Sequence, residues 1–119
     1  MSARGQGGKR RRAKTRASSR QYRLYVVELA PAAIRAHARA EAIRGCVYVG
    51  QTAHSPEHRF SQHRRGGRLS ASKVRRFGVR LRPDLYEAIE PLSTRDEAAR
   101  AEAQLAADLE RQGFCVFWS

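Results

Sequence analysis

The chain has 119 residues, 41% of them hydrophobic, enough for one modest core and too few for a multidomain machine. Lys and Arg number 24 against 11 Asp and Glu, a formal charge of +13 that excludes the mixed-sign surface of an ordinary metabolic enzyme and calls for a polyanionic partner. No run of 18 apolar residues occurs and no apolar signal centre opens the chain, so neither a membrane partner nor export is expected and a cytoplasmic, nucleoid-associated location follows.

Residues 1–20 carry Arg4, Lys9, Arg10, Arg11, Arg12, Lys14, Arg16 and Arg20 with no acid, among Gly, Ser, Ala and Gln. Such a segment cannot bury enough apolar area to offset its ordering entropy, so it reads as a disordered basic tail ahead of a folded domain over residues 21–119. Contact with phosphates and a solubilising or targeting role both stay open for it, an organelle leader included.

Tyr22 to Leu29 alternates β-branched and aromatic residues, as a strand covered on both faces would. Pro31 then opens an Ala-rich run expected to be helical as far as Arg44, stopped by Gly45. Cys46 to Gly50 reads as a second strand. Pro56 opens a short helix through Arg64, closed by Gly66 and Gly67, and Ser70 to Phe77 is expected to form another. Leu85 to Ile89, between Pro83 and Pro91, is the candidate third strand. Ser93 or Thr94 caps the longest helix, which runs past Leu109 to Gly113, and an apolar segment, Phe114 to Trp118, follows. Cys46 and Cys115 are too few for a disulfide framework and are expected to be small buried hydrophobes.

Three patterns bear on chemistry. Between Glu57 and Asp84 no acid occurs, while Arg59, Arg64, Arg65, Arg68, Lys73, Arg75, Arg76, Arg80 and Arg82 supply nine cations. A solvated face normally mixes both signs, so this stretch favours a phosphate-binding surface. In the long helix, Ala98, Ala101, Leu105 and Leu109 form one stripe and Glu102 projects roughly 55° from its centre at 100° per residue, the most inward-leaning acid there. A carboxylate so placed either pairs with an arginine or holds a cation. Finally, Arg59 and His63 stand four apart and share a helix face, able to offer a cation and a titratable base to one phosphate, or simply to be solvated. Zinc ligation by Cys46, His54, His58 and His63 lacks paired-ligand spacing.

The ordered set Arg23-Leu24-Tyr25, Val47-Tyr48-Val49-Gly50-Gln51-Thr52, Arg59-Phe60-Ser61-Gln62-His63 and the helix Ala98 to Leu105 with Glu102 resembles the GIY-YIG nuclease superfamily over essentially all of the folded body. The resemblance implies a small α+β fold, a three-stranded antiparallel sheet flanked by helices, and divalent-metal-dependent cleavage of DNA phosphodiesters. It implies Tyr25 and Tyr48 as the motif tyrosines, Arg59 as the catalytic arginine, His63 as an accessory base or polar residue, and Glu102 as the ligand of Mg2+ or Mn2+. Arg64, Arg65, Arg68, Lys73, Arg75 and Arg76 are the candidate nucleic-acid contacts. Arg23 stands where the family has glycine, the motif tyrosines are 23 positions apart, and the sequence contains no counterpart of the family's late asparagine. Repair, restriction, mobile-element transfer and phage defence are all open as pathways, and RNA or a targeting protein as further partners. Two other readings survive: a non-catalytic nucleic-acid-binding protein on a degenerate GIY-YIG fold, and a basic interaction protein docking on RNA or an acidic partner.

Overall fold

The computed structural model describes residues 21–36, 44–66 and 71–118. The expected tail, Arg68 and the later part of the Ala-rich run lie outside the described residues. Strand β1, Arg23–Leu29, is buried at Leu24 to Val27 and at Leu29, as its unbroken apolar run requires of a strand covered on both faces. It pairs antiparallel with β2, Cys46–Thr52, in a register that sets Tyr25 opposite Gly50 and Val27 opposite Tyr48. Between them, Pro31–Ala36 forms a 3-10 segment where an α-helix was expected.

Helix α1, Pro56–Arg65, starts at Ser55, whose hydroxyl accepts the His58 N–H at 3.0 Å, and stops at Gly66, whose φ of +82° a side chain would strain. Helix α2, Ser72–Phe77, runs directly into β3, Gly78–Leu81, which pairs antiparallel with β1. The third strand is therefore Gly78–Leu81 and not Leu85–Ile89; Pro83–Leu85 is a 3-10 turn, and the apolar side chains Leu85, Tyr86 and Ile89 pack on the core from a non-strand segment. Helix α3, Arg95–Arg111, is fixed by a reciprocal cap in which Thr94 Oγ1 accepts the Glu97 N–H at 3.0 Å while Glu97 Oε1 accepts the Thr94 N–H at 3.3 Å. The terminal apolar segment is a strand, β4, Cys115–Trp118.

The sheet order is β3-β1-β2-β4. Its first three strands are the antiparallel set expected; the fourth lies parallel to β2, so the sheet is four-stranded and mixed. Helices α1 and α2 pack on β1 and β3, and α3 packs on β4, β2 and β1. Alternation along the strands separates the faces. Tyr25, Tyr48, Gly50 and Phe117 point to the α1 and α2 side, and Val47, Val49, Gln51 and Trp118 to the α3 side. Cys46 and Cys115 face each other in the β2–β4 ladder as buried free thiols. Among the described residues no helix is long and apolar enough to cross a membrane.

Candidate active site

Gly50 determines how closely β1's tyrosine can lie on β2. A Cβ at this position would fall 2.5 Å from Tyr25 Oη, so only glycine lets the phenol rest on the backbone there. Tyr25 is 1% exposed, and its ring lies 6.3 Å from that of half-buried Tyr48. The second motif thus supplies both a neighbouring phenol and the gap that the first phenol occupies.

Below Tyr25 sits His63, delivered by α1 and 0% exposed. Its Nδ1 accepts the Ala71 N–H at 2.8 Å, and its Nε2 lies 2.9 Å from Tyr25 Oη. Because a neutral imidazole carries one proton and the Ala71 N–H claims the bare nitrogen, Nε2 holds the hydrogen and donates it to Tyr25. Burial, followed by the nearby Arg59 charge, lowers the His63 pKa to about 4, so the ring is neutral near pH 7. The expectation that Arg59 and His63 form one outward pair offering a cation and a base is therefore corrected: His63 is turned inward and spends its N–H on Tyr25.

Arg59, one turn earlier on α1, is half-buried and donates Nη1–H to Gln62 Oε1 at 3.0 Å. Its guanidinium lies close enough to oppose the rise in the Tyr25 pKa, which is caused first by burial and then by Tyr48, with Glu102 adding to it. Tyr25 is thus held protonated in the free protein, with a cation beside it that favours the phenolate.

Glu102 comes from α3, across the sheet. It is 2% exposed and lies among the buried Ala98, Ala106 and Leu109, at the centre of the helix's inward face and not at its edge. Gln51 Nε2 donates to Glu102 Oε1 at 3.3 Å. Gln51 is a site residue that the sequence reading missed, although it directly follows the Tyr48-Val49-Gly50 motif. Among the described residues no three His, Cys, Asp or Glu converge. A hard carboxylate suits magnesium or manganese, which retain waters and take phosphate oxygens, better than it suits zinc with its nitrogen and sulfur set.

The candidate phosphate contacts cluster on α1 and α2. Arg64 and Arg65 are exposed at the end of α1, with Arg64 stacked 5.5 Å over Phe60, and Arg75 and Arg76 are exposed on α2. Lys73 is half-buried, with Nζ 5.6 Å from the Phe117 ring. Two members of the acid-free stretch pair with acids outside it: Arg80 with Glu28 of β1 at 2.9 Å and Arg82 with the adjoining Asp84 at 2.9 Å. The stretch is consequently less short of anions than its sequence implies.

Tyr25, Tyr48, His63 and Arg59 thus meet on one face of a mixed α+β sheet, and the Gln51–Glu102 pair lies on the other. The family model of the GIY-YIG catalytic domain matches residues 39–114. The chain belongs to the GIY-YIG nuclease family. The matched span contains Tyr48, Arg59, His63 and Glu102 and begins after Tyr25, which joins them through the β1–β2 register. No curated protein and no solved structure matches the chain. Nucleases of this family act on DNA and generally use divalent metals.

Proposed function

We propose that the protein is a divalent-metal-dependent endonuclease that hydrolyses DNA phosphodiester bonds. The observation that supports this most is the chain of contacts from Ala71 through His63 to Tyr25, with Arg59 alongside and the Gln51–Glu102 pair across the sheet. Hydrolysis forms a bond from a water oxygen to phosphorus, breaks the bond to the leaving oxygen, and needs an acceptor for the water's proton. Tyr25 fills that role as the phenolate: its own proton leaves to solvent first, His63 Nε2–H and Arg59 stabilise the anionic oxygen, and the water's proton then restores the phenol. Tyr48 borders the same pair and positions the phosphate against it. Arg59 also balances charge on the phosphoryl oxygens. Glu102 would hold magnesium or manganese, which when bound stabilises the leaving oxygen. Arg64, Arg65, Lys73, Arg75 and Arg76 hold the backbone of the DNA.

Cleavage of labelled single-stranded, duplex, flap and branched DNA with magnesium or manganese tests the reading. Glu102→Gln is expected to lower the rate by about a hundredfold or more with binding retained, because it removes the carboxylate charge and leaves the basic surface. Tyr25→Phe is expected to do the same. Binding without cleavage of any of these DNAs by the unmodified protein would replace the reading with that of a non-catalytic binding module.

A further inference from the structure

Trp118 is the chain's single tryptophan and, at 48% exposed, one of two large apolar side chains open to solvent among the described residues. The other, Val79, lies on β3 at the far edge of the sheet. Trp118 stands in β4 opposite Val49, on the face of α3 and diagonal to Gln51, the residue that contacts Glu102. Phe117, opposite Tyr48, presents its ring to the other face, under the Lys73 ammonium. The end of β4 therefore brings two aromatic rings, one on each face of the sheet, and a cation beside the motif strand.

We infer that Trp118 is a stacking platform for an unpaired nucleobase, and that DNA carrying a single-stranded segment at the scissile bond is the preferred substrate class. The location of the scissile bond rests on the nuclease reading above; the stacking does not. A lone exposed indole is too small for an apolar protein interface, and a chain of +13 selects a polyanion. In a duplex each base face is already covered by its neighbours, so only an unstacked base can cover the indole. Aromatic rings interleaved with cations are the combination that binds single strands, the rings taking base faces and the cations taking phosphates.

The single tryptophan makes the test direct. The full chain, with metal chelated, is titrated with oligodeoxythymidylate and with a blunt duplex, following Trp118 emission and, in parallel, anisotropy of the labelled DNA. Strong quenching by the single strand and little by the duplex is expected. Trp118→Ala should weaken single-strand binding about tenfold and duplex binding hardly at all, and Trp118→Phe should restore most of the loss. Single-strand binding without any change in emission, or equal affinities for Trp118→Ala and the unmodified chain, would overturn the inference. A blue shift that depends on protein concentration without DNA would also overturn it, assigning the indole to a contact between copies. Cleavage in magnesium is scored separately: quenching without cleavage refutes the nuclease reading and leaves the platform standing.

Discussion

Tyr25 Oη and His63 Nε2 are 2.9 Å apart, and the Ala71 N–H on the opposite ring nitrogen makes the histidine the donor. The histidine proton therefore serves the phenol. His63 is neutral in the folded protein down to about pH 4, whereas in the unfolded chain it takes up a proton near 6.5. Between those values the unfolded state binds more protons, so stability rises with pH and is lost on acidification. His63→Gln keeps a donor toward Tyr25 and cannot ionise. Urea unfolding at pH 4 and pH 7 should show an acid-induced loss about 3 kcal/mol larger in the unmodified protein than in the variant. Equal losses would refute the assigned tautomer and burial.

The close approach at Gly50 gives a second expectation. An added methyl group would meet Tyr25 Oη, Cζ and Cε1 within 2.9 Å, so Gly50→Ala must displace the ring or the strand. A loss of about 1–3 kcal/mol is expected, together with loss of cleavage, since the phenol leaves His63. Denaturant midpoints and cleavage rates measured on one preparation check both parts; a variant that stays fully active would show that Tyr25 does not need this seat.

Salt dependence separates free cations from those already paired. Changing Lys73, Arg75 and Arg76 together to Ala should reduce the slope of log affinity against log salt by about 2–3 on duplex DNA, roughly 0.9 for each phosphate that is no longer neutralised. Changing Arg80 and Arg82, which pair with Glu28 and Asp84, should move it far less. Equal effects from the two sets would mean that charge acts without regard to position.

Cys46 and Cys115 face each other in the β2–β4 ladder, and burial, with Cys46 close by, pushes the Cys115 thiol up to about 12. Thiolate is the reactive form, so the native protein should resist a thiol reagent at pH 8 and both cysteines should react on unfolding. Rapid labelling of the native chain would contradict the buried ladder.

Local pattern made the strands of the two tyrosines, the helix of Arg59 and the capped helix of Glu102 legible, because each is bounded by its own stop and start signals: Pro56 and Gly66, Thr94 and Gly113. The third strand was misplaced because Gly78–Leu81 is a short edge strand with its middle residues exposed, running straight out of a helix without a turn between them. Leu85, Tyr86 and Ile89 meanwhile supply apolar side chains to the core without strand geometry. Parallel pairing of β4 with β2 has no signature in either segment, since it joins residues about seventy positions apart. Glu102 was read at the rim of its helix face because Leu105 was counted inward; the buried position is Ala106, which turns the face toward the carboxylate. The direction of the His63 hydrogen bond depends on a backbone N–H eight residues away, which side-chain pattern does not encode.

The site draws on β1, β2, α1 and α3, so Tyr25 and Glu102, 77 positions apart in sequence, must both be in place before it exists. A ribosome releases the chain from the N-terminus, so the tyrosines, Arg59 and the basic stretch emerge before the carboxylate does. A nascent polycation surrounded by ribosomal RNA thereby leaves the tunnel ahead of its carboxylate. The candidate site is therefore assembled only once α3 has left the tunnel and packed on the sheet.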